Sequence, residues 1–133
     1  MTLIQTAAAA SALGLVAYLA LSVSRGGALR ITWVWPALAS FAFLVYSLYT
    51  VATDGLFGFW TVQTTSLWGL QVWIDLVLAF GIAWTFMAPE ARRLGMALWP
   101  WAALLLCTGC IGILAMMARI LWLREQQGVA QAA

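Results

Sequence analysis

Asp75 stands in the middle of LWGLQVWIDLVLAFGIAWTFMA, Leu67 to Ala88, a run whose other side chains are nearly all apolar. On a helix it lies roughly 13 Å from the start of that run. An ionisable group at such a depth in a bilayer costs about 2.5–3.5 kcal/mol on insertion scales, and such groups normally face a bundle interior with a partner. Gln71 falls one turn earlier on the same face, so Trp68, Gln71, Asp75, Leu78 and Ile82 make one stripe, expected to be the inward face. The expected partner is Arg119, close to the end of the last apolar run. Side chains lean toward the amino end of their own helix, so on antiparallel neighbours Asp75 and Arg119 lean toward each other. Two chemistries stay open. An Asp75–Arg119 ion pair supported by Gln71 would fix helix register. With Arg119 turned away, a protonated Asp75 would be a proton relay or a general acid able to protonate an alkene or polarise a carbonyl.

Cys107 and Cys110, in LLLCTGCIGIL, have the C-x-x-C spacing of thiol redox motifs and occupy one face of a helix. Small four-helix membrane oxidoreductases of the vitamin K epoxide reductase and disulfide-bond-formation types use such pairs, but pass electrons on through a second pair, and this chain has two cysteines in all. The alternative is steric. Ala103, Cys107, Gly109, Cys110 and Gly112 form a small-residue surface that lets another helix come close, and helix packing is the expected role of Cys107, Gly109, Cys110 and Gly112. Glu90, with Arg92 and Arg93, follows Pro89 and reads as a rim group at the cytoplasmic surface.

Other chemistries are closed by absent residue types. The chain has no histidine, and all six of its cations are arginine. Without imidazole there is no His-ligated haem or chlorophyll and no histidine zinc site. Without lysine there is no Schiff base, hence no retinal. No cofactor, no metal and no nucleic-acid partner is expected; membrane lipids and a protein partner in a membrane complex are. An arginine-only, alanine-rich composition fits a GC-rich bacterial genome.

The elements that must position these groups are membrane helices. Of 133 residues 65% are hydrophobic and 8% charged, far from the roughly 45–50% and about 25% of soluble domains. About 20 apolar residues cross a bilayer core as a helix, and four stretches qualify: 3–23, 31–52, 67–88 and 96–123. The expected fold is therefore all-α, a single four-span transmembrane helical bundle with no soluble domain. The connector SRGGALR carries Arg25 and Arg30, and APEARRLG carries Arg92 and Arg93. Four spans place both on one side, against Arg119 and Arg124 on the other, so the positive-inside rule puts both termini outside. Trp33, Trp35, Trp84, Trp99 and Trp101 cluster at the expected cytoplasmic rim, and Trp60, Trp68 and Trp122 at the other, as aromatic belts. Pro36 and Pro100 fall in first helical turns and Pro89 after the third span, so none breaks a helix core. The connector DGLFGFWTVQTTS, Asp54 to Ser66, is expected in the interface, either as a capped approach with Thr65 or Ser66 as N-cap or as a lid over a lipid-accessible pocket.

About 60 residues of the second half, through WIDLVLAF, PEARRLGM, CTGCIG and LWLRE, resemble a family of small bacterial four-helix membrane proteins known only as a domain of unknown function. The resemblance implies a four-helix fold and a bacterial inner-membrane location, and marks Asp75, Glu90, Arg92, Gly109, Arg124 and Glu125 as matching positions. It implies no activity. The expected function is a non-catalytic accessory subunit or lipid-binding module of a membrane complex. The alternatives are an enzyme acting on a lipid or isoprenoid with Asp75 as general acid, and, less favoured, a thiol oxidoreductase through Cys107 and Cys110.

Overall fold

The computed structural model describes residues 2–25 and 31–132, with side chains through residue 128. The connector expected over 24–30 therefore lies, from residue 26 on, outside the described residues. Every described element is helical: α1 (Leu3–Ser24), α2 (Val34–Asp54), α3 (Gly58–Thr64), α4 (Leu67–Arg93), α5 (Leu98–Thr108) and α6 (Cys110–Ala132). The chain divides into two compact units, Met1–Ile31 and Thr32–Ala133.

The first unit is α1. Thr2 starts it with a capping box, its hydroxyl accepting from the Gln5 N–H while the Gln5 side chain accepts from the Thr2 N–H, which satisfies two otherwise unpaired amide groups. Its 22 residues carry no charge and are largely apolar around the whole circumference, the pattern of a buried or membrane-spanning helix.

In the second unit α6 is the central element, packed on α2, α5 and α4, while α3 packs on α4. Ala91, Met116 and Ile120 form the core, with Trp84, Met87, Leu94, Met96, Leu98 and Trp101 around them. On α2, Pro36 and Ser40 are buried, and the Ser40 hydroxyl donates to the Ile111 carbonyl at 3.0 Å.

Three helices, α1, α2 and α4, are long and apolar enough to cross a membrane. The stretch expected as a fourth span, 96–123, is not one helix. It is α5 and α6, divided at Gly109 with φ +58° and ψ −122°, a conformation that side chains with a Cβ rarely adopt. At Gly112 an added Cβ would lie 2.9 Å from both Cα and N of Leu105. On a continuous helix two residues seven apart are about 10 Å apart along the axis, so α6 doubles back against α5. The return is confirmed at the other end, where Arg124 Nε lies 2.8 Å from Glu90 Oε1 at the end of α4. A Schellman turn launches the hairpin: Met96 N–H donates to Ala91 O, Gly95 N–H donates to Arg92 O, and Gly95 takes φ +76°, the geometry that ends a helix and reverses its path. The apex touches α4 at Phe80, whose ring lies 3.0 Å from where a Gly109 Cβ would stand. Phe80 is ten residues before Glu90, about 15 Å, and α5 covers about the same rise. The hairpin thus runs from the Glu90 end of α4 to about the middle of the helix and back.

Candidate functional site

The hairpin places two groups of polar residues on α4. The first is at its end. With 27 residues α4 is about 40 Å long, more than the roughly 30 Å hydrocarbon core, and the turn after Pro89 lies beyond the crossing segment. There the Arg93 guanidinium donates to both oxygens of Glu90, Nε to Oε2 at 2.8 Å and Nη2 to Oε1 at 2.7 Å, and Arg124 donates from Nε to Oε1. These hydrogen bonds, that from Arg93 first and that from Arg124 second, hold the Glu90 carboxyl at about 2, well below its ordinary 4.5. The arrangement is a clasp. It ties the returning strand of the hairpin to the helix that precedes it. Arg92 is exposed on the same turn.

The second group is half-way up. On α4 the half-buried or buried positions are Gly69, Trp73, Leu76, Phe80, Ala83, Trp84, Met87, Ala88, Glu90 and Ala91, spaced by threes and fours around the face packed on α3, α5 and α6. Trp68, Gln71, Asp75, Leu78 and Ile82 are all exposed. At 100° per residue this stripe lies about 200° from the packed one. The stripe expected to face inward therefore faces outward, because the large rings that the hairpin and α3 need are on the other side. Trp68 and Leu78 are 75% and 60% exposed, and with Gln71 and Asp75 they border a shallow trough formed by α4 alone.

Gln71 and Asp75 thus keep company on one face, but Arg119 does not join them. The hairpin carries Arg119 toward the Glu90 end, roughly 20 Å from Asp75 along the helix axes, where its guanidinium stacks 4.4 Å from the Trp122 ring centroid. The expected ion pair assumed a straight fourth span. The same reversal moves Trp122 from the far aromatic belt to the end of the unit that holds Trp84 and Trp101. Among the described residues the ion pairs are Glu90–Arg93 and Glu90–Arg124.

The connector to α4 begins with Gly55 at φ +82° and ends with Ser66, whose hydroxyl accepts from the Gly69 N–H at 2.9 Å as N-cap. Its aromatic residues close on Trp73, with ring centroids 5.9 Å away for Phe59 and 6.0 Å for Trp60. At Gly69 an added Cβ would fall 2.6 Å from the Val62 carbonyl oxygen, so α3 lies directly on α4. This is the packed face, so the connector covers no pocket beside Asp75.

Cys107 and Cys110 flank the apex as free thiols. Gly112 does permit a close approach, but of α6 to its own predecessor α5, while Gly109 makes room for the Phe80 ring of α4. The Glu90–Arg124 contact and the Ser40 hydroxyl were missed in the sequence. The signal for the first was two glycines interrupting an apolar run half-way along, so that each half measures half a bilayer.

Comparison with family models, with curated proteins and with solved structures returned no match.

Proposed function

We propose that this protein is a non-catalytic membrane module, an accessory subunit of a membrane complex, and that it docks through the outward face of α4. The observation that carries this is the position of Gln71 and Asp75, opposite every element that packs on α4. A carboxyl group at that depth is unfavourable against lipid, and interhelical hydrogen bonding to a partner relieves it. The trough beside Asp75 has walls from one helix only, and a site that excludes water from a reacting group needs walls on several sides. This favours docking over general-acid catalysis.

In the bilayer this reading has three crossings, α1, α2 and α4, followed by a half-depth hairpin, a non-helical turn tolerated at that depth because Phe80 and α2 cover it. The Glu90–Arg124 clasp then brings Arg119 and Arg124 to the side of Arg92 and Arg93. In sequence Arg25 and Arg30 lead into α2, which starts on that same side if α2 and α4 cross in opposite directions. Four arginines, on α4 and α6, then fall on one side, and the sequence that leads into α2 carries two more, a stronger positive-inside bias than four spans provide. The carboxy terminus is then cytoplasmic and the amino terminus is on the other side, in the inner membrane of a bacterium if the family resemblance holds.

The test is extraction from the native membrane in a mild detergent, with mass spectrometry of what co-purifies, alongside a photo-crosslinker at Leu78. A stoichiometric protein attached through Leu78 supports the docking role. A protein that carries only a defined isoprenoid or lipid, whose turnover stops in Asp75→Asn at unchanged yield, overturns it in favour of an enzyme. A carboxy-terminal reporter active only in the cytoplasm checks the orientation.

A further inference from the structure

The outward face of α4 has an internal order that points to what covers it. Trp68, Gln71, Asp75, Leu78, Ile82 and Thr85 are separated by three, four, three, four and three residues, and all six are exposed. That is an unbroken heptad seam, with Trp68, Asp75 and Ile82 at a and Gln71, Leu78 and Thr85 at d. A 3.5-residue repeat is the signature of two helices that wind around each other with a left-handed twist, and left-handed crossings are the common ones in membranes. The packed face keeps the same repeat, Gly69, Trp73, Leu76, Phe80, Ala83, Met87 and Glu90, all half-buried, so α4 carries two such seams, of which the packed one is occupied by α3, α5 and α6.

We propose that this seam joins two copies of the chain as a parallel α4–α4 pair. This rests on the docking role argued above and names the partner. Copies inserted with one orientation in one bilayer are parallel by necessity. In a parallel pair a side chain at a enters a hole formed by the preceding d and g and the level a and d of the other helix. For Asp75 the hole is Gln71, Ile74, Asp75 and Leu78 of the partner subunit. The complementarity is chemical as well as steric. The amide N–H groups of one Gln71 donate to the carboxyl of the other copy's Asp75, and the two Asp75 side chains stand level with each other across the dyad. A single acid and a single amide, each doubled by symmetry, satisfy one another. The same chain's α1 offers no charged group to do so, as its 22 residues contain no Asp, Glu, Lys or Arg. One apolar heptad lies beyond the polar pair, Leu78 and Ile82, each 60% exposed, and supplies ordinary knobs.

The experiment is a single-cysteine scan along α4 from position 67 to position 86, in full-length protein with Cys107→Ser and Cys110→Ala, reconstituted in phosphatidylcholine vesicles and oxidised with copper phenanthroline. The expected result is a cross-linked homodimer with maxima at 71, 75, 78 and 82 and minima at 73, 76 and 80. In a separate dilution series of dye-labelled protein, Asp75→Ala raises the dissociation constant about tenfold, and Asp75→Asn, which can still accept and donate, recovers most of the loss. Both substitutions lie on an exposed face, and an unchanged helical circular dichroism signal shows that they leave the fold intact. Cross-links with no periodicity, or a dimer indifferent to Asp75→Ala, overturn the pairing. A protein that stays monomeric in vesicles yet is photo-crosslinked through Leu78 to a different protein in native membranes also overturns it, while leaving the accessory role standing.

Discussion

Gly109→Ala separates a hairpin from a straight span by the sign of its effect. With the backbone held at φ +58° and ψ −122°, an alanine carries a strain of about 1–3 kcal/mol. Its Cβ would stand 3.0 Å from Phe80 Cζ and 3.3 Å from Cε2, so the ring must also yield by a few tenths of an ångström. If α5 and α6 were one continuous helix, the same substitution would replace a helical glycine and gain about 1 kcal/mol. For a chain of 133 residues each kcal/mol moves the melting temperature by about 3–5 °C. The hairpin therefore predicts a fall of roughly 3–15 °C, and the straight span a rise of about 3–5 °C. Thermal unfolding in detergent, followed by tryptophan fluorescence, measures it. Gly14→Ala is the control: Gly14 lies inside α1 with nothing within 4 Å of an added Cβ, so its Tm holds or rises. A Gly109→Ala protein that melts at or above the unaltered one refutes the reversal at Gly109.

Three further outcomes are expected. Arg124→Ala and Glu90→Gln each remove the link between α6 and α4, and because they act on one contact the double variant is no worse than the single Glu90 variant. The Glu90–Arg124 pair is half open to solvent on the arginine side, so its contribution is about 1 kcal/mol or less, read as a small Tm shift. Since folding lowers the Glu90 carboxyl from 4.5 to about 2, the clasp contributes fully above pH 4.5 and is lost as the pH falls toward 2; an acid titration of Tm should show a drop in that window that Glu90→Gln lacks. Ser40→Ala deletes the buried hydroxyl that donates to Ile111 O, at a cost of about 1 kcal/mol, whereas Ser11→Ala on exposed α1 leaves the Tm unchanged.

The helices were legible because they rest on local signals. Apolar runs of about 20 residues mark α1, α2 and α4, and Ser66 caps α4 from one of the two positions that the connector offered. The fate of the last run was not legible, because a hydropathy reading counts residues and is blind to direction: LLLCTGCIGIL is as apolar as a span whether or not Gly109 turns the chain round. The error then propagated. A straight fourth helix brings Arg119 to the level of Asp75, while a folded one takes it to Trp122. The rule that intramembrane acids point inward does not say which neighbour they point to, and the bulky rings of Trp73, Phe80 and Trp84 have the stronger claim on the side that faces the rest of this chain. Periodicity alone offered both faces, and the choice fell to tertiary packing.

In the insertion proposed above, the half-depth hairpin has a consequence for the lipids around it. In the leaflet that holds the Glu90 clasp, the unit from Thr32 onward presents α2, α4, α5 and α6 side by side. Beyond Phe80, in the opposite leaflet, α2 and α4 continue with the seven-residue α3 against α4. Each helix with its side chains is about 10 Å across, so the unit displaces more lipid from one monolayer than from the other. A protein of unequal footprint is a wedge. It is relaxed where the bilayer is curved to match and under lateral stress where it is flat, so its distribution between curved and flat membrane would follow from the position of one glycine.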